Sequence, residues 1–353
     1  MPTDAPELIT VFQSNRDGFP TCRIPSLLTA ADGTLLAFCE GRQQRGDHAC
    51  NSIVCKRSAD SGRTWEPAVA IADEGGDSLN DPSAVLDRRN GRIVLHYTRF
   101  VEGYHTDKAV PGYDDPHAAR NYVIHSDDGG ATWSAPLEIT RAVKRPDVRC
   151  AVTTCGVGIQ LRRGAHTGRL VHAVYQFGGP SERASYVIYS DDGGQTWERG
   201  EAAPVADAEW TGEPQVVELT DGRVMLNART RAKRRFVAVS EDGGVTFSEL
   251  LPDEALIDPA CQGAILRCGD PLDGAPSQIA FSNAASQTER ANGTVRLSLD
   301  EGATWPIGRT IYAGSFAYSC LAVLSDGALG CLFEADDYDR IVLARIDLKW
   351  LQE

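Results

Sequence analysis

Two turn motifs that recur along the chain predict an all-β protein, a six-bladed β-propeller with four-stranded antiparallel blades. The first motif is Ser-x-Asp-x-Gly-x-Thr-Trp. It occurs five times, as SADSGRTW (58–65), SDDGGATW (126–133), SDDGGQTW (190–197), SEDGGVTF (240–247) and SLDEGATW (298–305), with Phe247 replacing the last Trp. The second is an x-Gly turn between apolar runs. It occurs six times, as ADGTLLAF (31–38), RNGRIVLHY (89–97), HTGRLVHAVY (166–175), TDGRVMLNA (220–228), LDGAPSQIAF (272–281) and SDGALGCLF (325–333). Helical periodicity is scarce, and self-similarity at this spacing marks a repeat architecture.

Each unit reads as strand A, the x-Gly turn, strand B, a loop, strand C, the Ser/Asp turn and strand D. Asp and Ser can accept from backbone amides, Gly permits positive φ, and the aromatic can pack over the turn. Such turns are too regular to be one active site and read as fold markers. The sixth unit ends near IVLARIDLKWL without a Ser/Asp turn. ELITVF near the N-terminus is expected to supply its missing strand, so that 1–353 is one catalytic domain. A solenoid of hairpins fits less well, since nothing resembles a capping repeat.

The composition, with 42% hydrophobic and 24% charged residues, is that of a soluble globular chain. A net charge of −14 argues against a nucleic-acid or anionic-membrane partner. No stretch is long and apolar enough to span a bilayer. MPTDAPELIT lacks the basic start and apolar run of a signal peptide. The expectation is a cytoplasmic protein, or a secreted or periplasmic one if a leader was removed. Ten cysteines are present. Cys50 and Cys55 are expected along one strand, about 16 Å apart at roughly 3.3 Å per residue, too far for a disulfide. Cys22, Cys39, Cys55, Cys320 and Cys331 fall in apolar patterns, as buried thiols do. No spacing matches a metal site, and no cofactor is expected.

In an A–B hairpin the start of A and the end of B share one edge. Eight or nine residues before the turn's Asp or Asn, the A strands carry Arg23 in CRIPSLL, Asp81 in NDPSAVL, Glu213 in GEPQVVEL and Tyr318 in AYSCLAVL. The B strands end on Arg42, Arg229 and Glu334, and the B–C loops carry Asp47 and Arg290. Arginines, carboxylates and one tyrosine are therefore expected at one mouth of the ring, where charge is uncommon unless it binds something.

These segments resemble the sialidase (neuraminidase) family. CRIPSLL is similar to its Arg-Ile-Pro motif. LLAFCEGRQQRGDHA resembles the segment with its second arginine and acid/base aspartate, and GEPQVVELTDGRVMLNART its Glu-Pro segment and next arginine. The Ser/Asp turns are similar to its Asp-boxes, and the likeness runs from about residue 20 to the C-terminus. The resemblance implies that Arg23, Arg229 and Arg290 hold a substrate carboxylate, Tyr318 is the nucleophile, Glu213 its base and Asp47 the acid/base. It implies that Glu334 steadies Arg23, and that Arg42 and Asp81 reach the 4-hydroxyl region of the sugar. The implied substrate is a sialylated glycan or sialoside.

These residue types suit that chemistry. A sialic acid carries a carboxylate on its anomeric carbon. A carboxylate nucleophile roughly 4 Å away would be repelled by about 4 kcal/mol at an effective dielectric near 20. A neutral phenol avoids this but, with a pKa of about 10, needs a base beside it. Guanidinium groups bind carboxylates bidentately and so orient the ring.

Each residue also has a plain structural reading. Arg42 can pair with Asp47, Asp81 can form a turn before Pro82, Tyr318 can be a core aromatic and Glu334 an edge charge. Their shared edge favours the functional reading. His48, His96, His105 and His125 show no convergent spacing and are expected to be structural or surface groups. The insert 101–121 is expected on the rim, with Tyr104 and Tyr113 but no Trp. It leaves the C5 substituent open between N-acetylneuraminate and another 2-keto-3-deoxy sugar acid such as the deaminated form. A non-catalytic Asp-box binding module and a trans-glycosidase are the other readings. Linkage and oligomeric state stay open.

Overall fold

The computed structural model describes residues 5–179, 182–206 and 210–353. Its regular elements are mostly strands, and α-helix is confined to short pieces at Thr140–Val143 and Leu348–Gln352. In the first unit, Thr21–Thr29, Leu35–Arg42, Ser52–Ser58 and Val69–Ala72 pair in that order as one antiparallel sheet. Thr211–Glu218, Val224–Thr230, Arg234–Ser240 and Leu251–Ile257 do the same in the fourth. The first two strands of each are buried along almost their whole length, because neighbouring sheets cover both faces.

The innermost strands contact one another in chain order. Thr21–Thr29 lies against Ser78–Asp87, and Ile159–Gln160 contacts both Ser78–Asp87 and Thr211–Glu218. Thr211–Glu218 then meets Ala264–Gly269, which meets Ile307–Val323, which returns to Thr21–Thr29. The ring is closed, and Arg23, Asp81, Glu213 and Tyr318 on its inner strands face one mouth.

Two departures from a uniform repeat stand out. Ile307–Val323 is one 17-residue strand serving two units: 307–315 pairs with Ala291–Ser298, and 316–323 pairs with Leu329–Ala335. The two units therefore form a continuous seven-stranded sheet, whose outer edge is Glu7–Gln13 paired antiparallel with Arg340–Ile346. In the third unit the inner strand is broken at Gly156 (φ 115°), and Gly156–Val157 pairs in parallel with Ser83–Ala84 of the preceding unit.

The Ser/Asp turns share one hydrogen-bond pattern. At 126–132, Ser126 Oγ accepts from the Gly130 amide at 2.8 Å, while Asp128 accepts from the Thr132 amide at 2.9 Å and its hydroxyl at 2.6 Å. A Cβ on Gly130, at φ 81°, would overlap the Leu36 side chain of the first unit. Trp133 packs edge-on against Phe38. Each turn thus joins its own sheet to the one before. Trp65, Trp133 and Trp197 pack into apolar layers between sheets.

All ten cysteines are free thiols, and Cys22, Cys39, Cys55, Cys320 and Cys331 are buried. Cys50 differs from the expectation. It lies in the loop before Ser52–Ser58 with φ 52°, not on the strand.

Candidate active site

Three inner strands begin with the same device. At Ile24-Pro25, Asp81-Pro82 and Glu213-Pro214 the pairing register slips, and the residue before proline has positive φ, at 64°, 56° and 39°. Proline brings no amide proton to the bulge, so none is stranded there. A bulge re-aims the neighbouring side chains, and each unusual backbone residue costs roughly 1–3 kcal/mol. Phe316–Ser319 has the same slip without a proline. Arg23, Asp81, Glu213 and Tyr318 are all delivered by these irregular starts.

Eight of the nine residues singled out in the sequence line one cavity of about 360 Å³: Arg23, Arg42, Asp47, Asp81, Glu213, Arg229, Arg290 and Tyr318. The ninth, Glu334, lies behind the wall. It accepts from Arg23 Nε at 2.7 Å and Nη2 at 3.0 Å, and from the amides of Ile24 at 2.9 Å and Tyr318 at 3.2 Å. One carboxylate therefore ties the first inner strand to the last. Burial alone would raise its pKa, but the charge of Arg23 and these hydrogen bonds hold it below the ordinary value.

The Tyr318 hydroxyl donates to Glu213 Oε1. Arg229 Nη1 donates to Glu213 Oε2 at 2.6 Å and to the Tyr318 oxygen at 3.1 Å. Burial, reinforced by the Glu213 charge, pushes the Tyr318 phenol well above its ordinary pKa, so it rests protonated. Burial would lower the pKa values of Arg23 and Arg229, yet their carboxylate partners raise both. Arg290 Cζ lies 5.5 Å from the Tyr318 ring centroid on the same mouth.

Asp47 also lines the cavity, its side chain 73% exposed. It accepts from Arg42 at 2.9 Å and stands 3.6 Å from Arg23. Partial burial would raise its pKa, but Arg42 and Arg23 hold it below the ordinary aspartate value. Asp81 is pushed well up, first by burial and then by the charges of Glu40 and Glu213.

Several functional candidates escaped the sequence reading. Glu40 is fully buried and accepts from Arg42 Nε at 2.7 Å, the Asp81 amide at 2.8 Å, and the side chains of Asn51 and Asn80 at 3.1 Å. Both asparagines also donate to the Asp47 carbonyl, so this buried cluster fixes the Asp47 loop. Trp210 lies beneath Arg183, Arg229 and Arg231, and Arg183 is also stacked on Phe177. His48, expected to be a structural or surface group, lines the cavity and stacks on His105 of the insert at 4.9 Å. The insert lends Thr106 and Asp107 to the wall. Tyr104 stacks on His117 instead, and Tyr113 donates to the Lys144 carbonyl.

A closed ring of antiparallel sheets carrying an arginine-lined mouth defines a class. Over residues 33–331 the chain matches the BNR repeat-like domain, and it belongs to that family. The relatives it aligns with include sialidases. The Micromonospora viridifaciens sialidase is 39% identical over 351 residues, covering 96% of this chain and 53% of the relative. The Bacteroides fragilis (strain YCH46) sialidase is 29% identical over 350 residues, covering 93% and 62%. The chain thus spans between half and two thirds of the length of these relatives. Among solved structures, the Hadza microbial sialidase Hz136 superposes with TM-score 0.88 at 27% identity, over 98% of this chain and 69% of that one. The Ruminococcus gnavus intramolecular trans-sialidase superposes at TM-score 0.86 over 98% of both chains. At 20% identity it bears on the fold, a β-propeller, alone.

Proposed function

We propose that this chain is a six-bladed, single-domain exo-α-sialidase that removes terminal sialic acid from glycoconjugates with retention of configuration. The observation that carries the reading is the Tyr318–Glu213 hydrogen bond, with Arg229 donating to both partners. The long strand Ile307–Val323 counts as the outer strand of the fifth blade and the inner strand of the sixth.

Arg23, Arg229 and Arg290 take the substrate carboxylate, which lays the anomeric carbon near the Tyr318 oxygen. Arg42 and Asp81 reach the 4-hydroxyl region, and Glu334 keeps Arg23 aimed. In the first step the Tyr318 oxygen bonds to the anomeric carbon as the bond to the aglycone breaks. The phenol proton passes to Glu213, and Asp47 gives its proton to the leaving oxygen. In the second step water attacks the anomeric carbon and gives a proton to Asp47. Tyr318 departs and recovers its proton from Glu213. Two displacements give net retention.

The lowered pKa of Asp47 fits this cycle. A substrate carboxylate arriving at Arg23 adds negative charge beside Asp47 and engages one of the cations that depress it. Both effects favour the protonated acid the first step requires.

Release of fluorophore from an α-ketoside of N-acetylneuraminate, measured beside its deaminated analogue, tests the assignment. Turnover of either, with the α-anomer seen first by NMR, is the expected result. The ratio of the two rates reads the C5 preference. Failure to hydrolyse any ulosonic ketoside would overturn the assignment in favour of a binding module.

A further inference from the structure

Arg23 is held from two directions. Glu334 grips the guanidinium in its plane, as described above. Over its face lies Tyr338, with Arg23 Cζ 4.0 Å from the ring centroid, compared with 5.6 Å to the Tyr318 ring. The same tyrosine reaches a second arginine, since Arg290 Nη1 donates to its hydroxyl at 3.1 Å. Two of the three arginines around the Tyr318–Glu213 pair therefore rest on one side chain.

The backbone that delivers Tyr338 is unusual. Asp336, Asp337 and Tyr338 have φ of 52°, 53° and 71°. Residues with a Cβ visit this region singly, so a run of three needs support. Support comes from several elements. Tyr312 donates to Asp336, and Arg340 Nε does so at 2.7 Å. The Asp337 amide donates to Ser315 at 3.1 Å, and Arg45 donates to the Asp337 carbonyl at 2.8 Å. Strained backbone persists where its surroundings over-determine it, and it clusters at functional sites. Here the left-handed run turns the chain back after Glu334, so that Tyr338 covers the arginine that Glu334 already holds.

We propose that Tyr338 is a positioning residue of the carboxylate clamp, fixing the face of Arg23 by stacking and the tip of Arg290 through its hydroxyl. It is not among the residues lining the cavity, so it acts through the arginines. A stacked guanidinium has fewer orientations to lose when it forms bidentate hydrogen bonds, so the clamp is set before a ligand arrives. The inference rests on the carboxylate-binding role proposed above.

The test is calorimetric binding of 2,3-didehydro-2-deoxy-N-acetylneuraminate and of its carboxamide, which lacks the charge. Wild type, Tyr338→Phe and Tyr338→Leu are compared after thermal melts show cooperative folding. Loss of the hydroxyl alone should weaken binding of the acid about threefold. Loss of ring and hydroxyl should weaken it about tenfold to thirtyfold. The carboxamide should move by less than about twofold in both variants, and Tyr338→Phe should restore most of what Tyr338→Leu loses. Equal losses for acid and carboxamide, or no loss in a folded Tyr338→Leu, would overturn the inference alone. Should the leucine variant not fold, Tyr338→Phe decides by the same acid-against-carboxamide difference. Wild type that binds neither compound would overturn the clamp itself, and this inference with it.

Discussion

The Tyr318 hydroxyl donates to Glu213 across 105 residues of sequence, and the two side chains meet because both stand at irregular starts of inner strands. In the proposed mechanism neither group would suffice alone. A buried phenol is a poor nucleophile, and a glutamate beside a substrate carboxylate would be repelled by it.

Tyr318→Phe removes one oxygen and leaves the ring in place. Turnover of an activated α-ketoside should fall by about three orders of magnitude or more, with the melting temperature within a few degrees of wild type. In wild type a fluorinated sialosyl fluoride should label Tyr318. Peptide mapping that finds the label on another residue would contradict the assignment.

Asp47→Ala should separate substrates by leaving group. A ketoside with a phenol leaving group of low pKa needs little protonation and should lose about tenfold in kcat/KM. A sialyl-galactoside should lose about a hundredfold or more. Equal losses on both would make Asp47 a binding residue rather than the acid.

His96 and His172 are fully buried between the second and third units. Burial presses His96 well below the ordinary 6.5 and takes His172 to about 3. Both are neutral in the fold and free to protonate when unfolded. Their contribution is present above pH 6.5 and is lost as pH falls from there toward 3, by up to about 1.4 kcal/mol per histidine per pH unit. Urea midpoints between pH 7.5 and 4.5 should decline accordingly. His172→Gln should be less stable at pH 7.5 yet flatter against pH. An unchanged slope would count against this account.

Gly130→Ala should destabilise by roughly 2–4 kcal/mol, because the new methyl meets Leu36 and the backbone stays at φ 81°. Gly130 does not line the cavity that holds the proposed active site, so kcat at low temperature should be unchanged. A variant that melts like wild type would show that the turn does not join the sheets as described.

The repeat was legible because its signals are local: a turn needs its Ser, Asp and Gly within a few residues of one another. The site residues were legible through their position relative to those turns, which is how Arg23, Asp81, Glu213 and Tyr318 could be grouped. Glu40 was not, since a buried glutamate one residue from a glycine carries no local mark of the network it serves. Trp210, Arg183 and Tyr338 reach the site by packing and by unusual backbone, which depend on distant chain. The three X-Pro pairs at equivalent positions were a visible signal. Read together, they mark where the inner strands stop pairing regularly.

Pairing of Glu7–Gln13 with Arg340–Ile346 also dictates an order of assembly. The intervening units can form from their own hairpins as they are made, whereas this edge strand must wait for Arg340–Ile346. Joining distant segments costs only logarithmically more entropy than joining near ones, so the delay is one of time more than of final stability. Until it ends, Arg340–Ile346 has an unpaired edge open to strands of other chains. Conditions that slow this last pairing are where misassembly should concentrate.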